Sequence, residues 1–318
     1  MPEAWAAAVH RWTAQNAEFR READGLTMPE PEVEWMFYQA LAGAWPADLA
    51  CDDADGLAAL ADRMAQFMLK AVREAKAHTS WTAQNADYES AVERFTRDAL
   101  DPAKAPAFLQ NFAAMCGPVF LAGALNSLSQ TAIKLTAPGV PDIYQGSELW
   151  ELSLVDPDNR RAVDYDTCRA LQASVGDAAP EALLADWRSG ALKLRLLQAG
   201  LALRARGRDL FAGGAYVPLS VEGDAAEHVL AFARIADGQA VVTIVPRMPL
   251  GLLSGESTPL VPTERWGDTV AMLPDHLAGQ RWRDVVTGQV HAGQARLAVG
   301  EVLGRFPVAL LANQSLQE

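Results

Sequence analysis

Apolar positions at three- to four-residue spacing open the chain. Trp5, Val9, Trp12 and Phe19 recur between Pro2 and Arg21 until Gly25, Pro29 and Pro31 end the pattern, which predicts one amphipathic helix. A second begins beyond Pro31, with Val33, Met36, Phe37, Leu41 and Trp45 on one side, and stops at Pro46. The aromatic rings on these stripes read as core packing. Between Asp52 and Ala77, Leu57, Leu60, Met64, Phe67, Met68 and Val72 form a buried stripe opposite a wet side of Asp53, Asp55, Arg63, Lys70, Arg73 and Glu74. Asn85 or Asp87 caps a further helix from Tyr88 to Leu100, and a long apolar helix follows from Phe108 to about Thr131. Pro180 to Arg206 reads as a strong helix broken at Gly190.

The rhythm changes after Gly207. Short apolar runs alternate with turn residues at Ala215–Val221, His228–Arg234, Ala240–Pro246, Arg281–Val286, Gln294–Val299 and Val308–Leu311, a spacing that predicts an antiparallel β-sandwich. Pro249 to Asp268, rich in Gly, Pro, Ser and Thr, predicts a long loop.

With 318 residues and half of them apolar, the chain has material for one large core or two. A formal charge of −13 repels phosphate backbones and anionic lipid surfaces, so nucleic acid and membrane are poor candidates for partners, none of either is expected, and neutral sugars fit better. Cys51, Cys116 and Cys168 are odd in number and far apart, so they predict no disulfide framework and a reducing, cytoplasmic setting. No signal segment and no bilayer-spanning run is expected. Five dispersed histidines, His10, His78, His228, His276 and His291, lack ligand spacing, so no metal site is expected.

Candidate chemistry gathers in Thr136–Asp166. Pro138, Gly139, Pro141 and Gly146 surround Ile143 and Tyr144, which suits a short strand feeding a tight turn. Asp156, Asp158, Asn159, Arg160, Arg161 and Asp164 then fall within nine residues. So many mixed charges either pair with one another or grip a ligand rich in hydroxyls.

The string G-V-P-D-I-Y-Q-G-S-E, Gly139 to Glu148, resembles the eighth strand of the catalytic barrel in the α-amylase family of glycoside hydrolases, family 13. Two other segments, Glu34–Pro46 and Lys76–Glu89, resemble the same branch of that family, and Gln84 stands where the branch more usually has proline. The resemblance implies an α+β chain: a largely helical N-terminal part with the last strand and helices of a (β/α)8 barrel, followed by the antiparallel β-sandwich. The expected divisions are a helical region over 1–131, the last barrel strand, charged loop and final barrel helix over 132–206, and the β-domain over 207–318.

For the complete enzyme the resemblance implies retaining glycoside chemistry, with two carboxyl groups about 5 Å apart acting as nucleophile and as acid then base. It further implies an intramolecular transglycosylation that turns the reducing-end α-1,4 linkage of a maltooligosaccharide into an α,α-1,1 linkage, without a cofactor. The family's acids are expected on strands upstream of Met1. Asp142, Glu148, Asp156, Asp158 and Asp164 match wall and binding positions, so no catalytic residue is assigned here.

The expected substrate contacts are Tyr144, Gln145, Glu148, Asp156, Asp158, Asn159, Arg160 and Arg161, because active residues of barrels cluster where strands end. His78 and Trp81 join them either as a hydroxyl donor and a pyranose platform or in a structural role at the helix start near Tyr88. A separately encoded N-terminal catalytic part is the expected partner if the chain is a sugar-binding or assembly module. Part of a related α-glucan hydrolase or transferase is the other alternative.

Overall fold

The computed structural model describes residues 1–23, 25–292 and 294–316. Its contacts divide it into two compact units, residues 1–120 with 152–162, and residues 121–151 with 163–318.

The first unit is helical, and its helices begin where the apolar stripes do. It contains α1 (Pro2–Gln15), α2 (Pro31–Ala44), α3 (Ala54–Ala75), α4 (Ala86–Ala99) and the first part of α5 (Pro106–Thr136). Prolines open α1 and α2 in the first turn, where a missing N–H costs nothing. Asp53 caps α3 by accepting from the Gly56 N–H at 3.0 Å, and Asn85 caps α4 by accepting from Tyr88 N–H at 3.2 Å, so of the two predicted caps it is Asn85 that acts. Lys76 in the left-handed region, φ 59°, closes α3. A two-stranded hairpin that periodicity did not show, β1 (Arg21–Ala23) and β2 (Leu26–Met28), joins α1 to α2.

Aromatic rings hold this unit together. Trp12 lies 5.0 Å from Phe112, 5.3 Å from Tyr38 and 6.2 Å from Phe108, and Phe37 meets Phe95 edge-on at 5.5 Å. Trp12, Phe37, Tyr38, Phe95 and Phe112 are fully covered, so the core reading of these stripes holds.

α5 corrects one expectation. It runs 31 residues, five beyond the predicted end, and by length and composition it is long and apolar enough to cross a bilayer. Much of its apolar surface is packed in the protein, including Phe108, Phe112, Leu125, Leu128 and Leu135, as in the core helix of a globular fold.

The second unit combines the rest of α5 with α6 (Tyr165–Val175), α7 (Pro180–Ala185), α8 (Ala191–Arg206), α9 (Arg208–Gly213) and α10 (Val299–Val302) and, among the described residues, nine strands. The break expected at Gly190 is present: this residue sits at φ +80° between a 3-10 turn and α8. The strands are β3 (Ala215–Pro218), β4 (Val221–Glu222), β5 (Val229–Ala236), β6 (Gln239–Pro246), β7 (Val270–Met272), β8 (Trp282–Asp284), β9 (Val290–His291), β10 (Arg296–Ala298) and β11 (Ala309–Asn313). They form two antiparallel sheets, β3-β5-β6-β11-β8-β9 and β10-β7-β4. The six predicted runs all supply strands, and β7 and β9, three and two residues long, were too short to show a period. The long β5–β6 hairpin turns at Asp237 and Gly238, both at positive φ, as a two-residue turn between right-twisting strands requires.

The predicted last barrel strand is not formed. Residues 140–144 are irregular and 145–148 form a turn. An extended segment becomes a strand only by pairing its backbone, and among the described residues no strand lies beside this one.

Candidate functional site

In the first unit, the 152–162 loop is organised by one acid. Asp158, 6 % exposed, accepts from Arg63 Nε at 3.0 Å on Oδ1 and from Arg63 Nη2 at 3.0 Å on Oδ2. The Leu154 N–H adds a bond at 2.7 Å, and Arg161 Nε lies 2.8 Å from Oδ1. Burial by itself pushes this carboxyl up, but the Arg63 hydrogen bonds, the Leu154 N–H and the charges of Arg63 and Arg161 outweigh it and hold the group below the usual carboxylate range. With both oxygens so engaged, Asp158 is committed to the protein.

Lys70 and Asp156 beside it are half-buried, and the groups beyond them are open to solvent. Lys70 Nζ donates to the Asp156 carbonyl at 2.8 Å, and Arg160 pairs with the Asp156 carboxylate while its side chain stays 77 % exposed. Asn159 and Arg161 are exposed, and Arg161 Nη2 reaches Ser153 Oγ at 3.1 Å. Arg63 and Arg161 also line a cleft of about 310 Å³ with Asp48, Asp53 and Leu49. The loop therefore holds itself by a fixed inner pair and presents Asn159 and Arg160 outward, with Asp156 half-buried beside them.

Sequence reading placed Arg63 and Lys70 only on the wet side of α3. They lie seven residues apart, two helical turns, so one face of α3 carries both cations to the loop. That spacing was the available signal.

His78 and Trp81 lie between α3 and α4. His78 Nε2 is 2.7 Å from Glu30 Oε1, and the Tyr88 hydroxyl donates to the other oxygen of Glu30 at 2.7 Å. The imidazole also lies 5.2 Å from the Tyr88 ring. Beside them Glu89 takes Arg73 on both oxygens, at 3.0 and 2.7 Å, and the Thr79 hydroxyl at 2.5 Å. The Arg73 hydrogen bonds, helped by Thr79 and opposed by burial, hold the Glu89 carboxyl below its ordinary value. Trp81 is 53 % exposed and its ring carries the Arg73 guanidinium at 5.0 Å from its centre. His78 is thus tied to the start of α4, whereas Trp81 offers an open ring face.

In the second unit, Tyr144 is 65 % exposed and Gln145 Oε1 accepts from the Tyr165 hydroxyl at 3.4 Å. Gly146, at φ +87°, makes the turn, and the Ser147 hydroxyl caps it on the Tyr144 carbonyl at 2.6 Å. Glu148 Oε2 is buried without a hydrogen-bond partner among the described residues. Asp164 is the N-cap of α6, accepting from Asp166 N–H, Thr167 N–H and the Thr167 hydroxyl, which together keep its carboxyl below the usual range. Among the described residues no group of three or more His, Cys, Asp or Glu is placed to hold a metal ion, and the three cysteines are unbridged.

No protein-family model matches the chain. A Mycobacterium tuberculosis protein provisionally assigned as a maltooligosyl trehalose synthase is 34 % identical over 300 residues, which is 94 % of this chain and 34 % of that protein. Nearly the whole chain is similar to a maltooligosyl trehalose synthase. The maltooligosyltrehalose synthase structure from Arthrobacter ramosus superposes with a TM-score of 0.70 at 31 % identity, covering 98 % of this chain and 36 % of that one. A hypothetical maltooligosyl trehalose synthase of Sulfolobus tokodaii, 23 % identical, shares the fold with a TM-score of 0.68 over 98 % of this chain and 35 % of its own. The chain spans about a third of the length of each of these relatives. The resemblance read from the sequence is borne out, and so is a mixed helical and antiparallel fold.

Proposed function

We propose that this chain is the C-terminal part of a maltooligosyl trehalose synthase and that it contributes sugar-recognition surface rather than the reacting acids. Similarity over 94 % of the chain to about a third of a provisionally assigned synthase is the observation that carries this reading. The geometry supports it in a particular way. In the first unit the exposed Asn159 and Arg160, the half-buried Asp156 and the open ring of Trp81 have the mixture of donors, acceptors and apolar faces that pyranose rings need. Asp158 and Arg161 serve that surface by fixing the loop, and His78 by fixing the segment that bears Trp81. In the second unit, taken by itself, Tyr144, Gln145 and Glu148 offer an apolar ring and polar groups of the same kinds on the turn.

In the complete enzyme the reaction is the retaining, intramolecular transfer described above. The acids for it lie on other polypeptide, the role of this part is to hold glucan against competing water, and no cofactor is needed. The setting is cytoplasmic.

Incubating the purified chain with maltopentaose tests the reading. It is expected to give no trehalose-ended product alone and to give one when the remaining part of a synthase is supplied. Product formed by the chain alone refutes the assignment of the acids elsewhere. Free glucose or maltose as the only product of the completed enzyme favours a related hydrolase.

A further inference from the structure

The backbone that follows the Gln145–Glu148 turn is gripped by the start of α8. Lys193, 7 % exposed, donates from Nζ to the Leu149 carbonyl at 2.9 Å. The indole Nε1 of Trp150 donates to the Trp187 carbonyl at 2.7 Å, and Trp187 Nε1 is itself anchored on the Ser257 carbonyl at 3.0 Å. Gly190 lies between these contacts. A Cβ at that position would meet Leu149 Cβ at 3.0 Å and the Trp150 nitrogen at 3.1 Å, so the close approach of the two backbones requires glycine there, as does its φ of +80°.

Lys193 is the unexpected member. An ammonium brings three donors, and the Leu149 carbonyl uses one of them. Burying it is costly, and a leucine or methionine would pack in the same helix position without that cost. The charged groups around it are Lys134 on α5 and Glu148 and Glu151 on the turn side. Burial first, then Lys134, oppose its charge while the two carboxylates favour it, and the balance brings the lysine down to about 8. A residue that costs stability in this way is commonly retained for what it holds in place.

We propose that Lys193 is a positioning residue for the sugar-recognition turn: by holding the Leu149 carbonyl it sets the conformation in which Tyr144, Gln145 and Glu148 are presented, and Trp187 and Gly190 complete the same clamp. The sugar role rests on the function proposed above; the clamp rests on the contacts alone.

Hydrogen exchange followed by mass spectrometry on the 318-residue chain, with maltopentaose titrated in parallel, separates the two. In K193M the amides of 144–151 are expected to exchange about tenfold faster, the loss of one charged hydrogen bond, with exchange elsewhere unchanged and protection restored in K193R. G190A, acting on the same backbone from another side, is expected to loosen the same peptide. Maltopentaose affinity is expected to fall about tenfold in K193M and to recover in K193R. Unchanged exchange in both K193M and G190A overturns the clamp. Loosened exchange with maltopentaose affinity intact overturns the positioning role. A wild-type chain that binds no maltopentaose while K193M loosens the turn overturns the sugar role and leaves the clamp standing.

Discussion

The Arg63 guanidinium meets the Asp158 carboxylate fork to fork, Nε to Oδ1 and Nη2 to Oδ2, each at 3.0 Å, although 95 residues separate the two in the chain. Both side chains are largely buried, so each depends on the other to offset the cost of leaving water. Arg63→Leu is therefore expected to destabilise the first unit by about 3 kcal/mol, because it removes the bidentate partner of a buried carboxylate and leaves it only the Leu154 N–H and Arg161. Denaturant unfolding checks the size, and a change under about 0.5 kcal/mol would show the pair to be incidental.

The same acid sets an expected pH dependence. The Asp158 carboxyl titrates below its unfolded value, so the unfolded chain takes up the proton first as pH falls. The stabilisation is complete above about pH 4 and is lost as pH drops through the lower folded value. Asp158→Asn is expected to flatten that acid limb while leaving the slope between pH 5 and 7 unaltered. An acid limb of equal steepness in both proteins would assign the effect to other groups.

Arg160 presents the opposite case. Its side chain is 77 % exposed and its pair with Asp156 is half in water, so screening leaves little net stabilisation. Arg160→Ala is expected to change stability by less than about 0.5 kcal/mol and yet to weaken maltopentaose binding about tenfold, the worth of one charged hydrogen bond to a hydroxyl. Calorimetry on the wild-type and variant chains gives both numbers, and equal sugar affinity removes Arg160 from the recognition surface.

Trp12 marks how far the sequence could be read. Its place on an apolar stripe announced a buried ring, and the ring is at the centre of the aromatic core. The break at Gly190 and the six runs that became strands were legible for the same reason: local pattern and turn residues act within a few positions. What escaped depends on distance along the chain. Nothing local told that Glu30 would face His78, that Arg63 would reach Asp158, or that a lysine inside an apolar helix would find the Leu149 carbonyl. The Ile143 segment failed in the reverse sense, since its composition suits a strand but a strand also needs a neighbour. The loop charges stood out as a group in the sequence, but only the fold divides them into Asp158, which is spent on holding the loop, and Arg160, which is open.

Lys193 supplies a last expectation, in which the sign differs from that of Asp158. Its folded value is brought down to about 8, mainly by burial, while the unfolded chain keeps its proton up to the ordinary lysine range near 10.4. Between those values the unfolded state binds more protons, so stability attributable to this group rises with pH instead of falling. Below about pH 8 the buried charge is a constant burden; as pH climbs toward 10 the native chain sheds the proton and the burden lifts. The wild type should accordingly gain stability relative to Lys193→Met over that interval, whatever the offset between them at neutral pH, since the variant has no proton to lose there. Urea unfolding of both chains at pH 7, 8, 9 and 10 checks it: a widening difference in favour of the wild type is expected, and parallel curves would mean that this ammonium is as well solvated in the native chain as in the unfolded one.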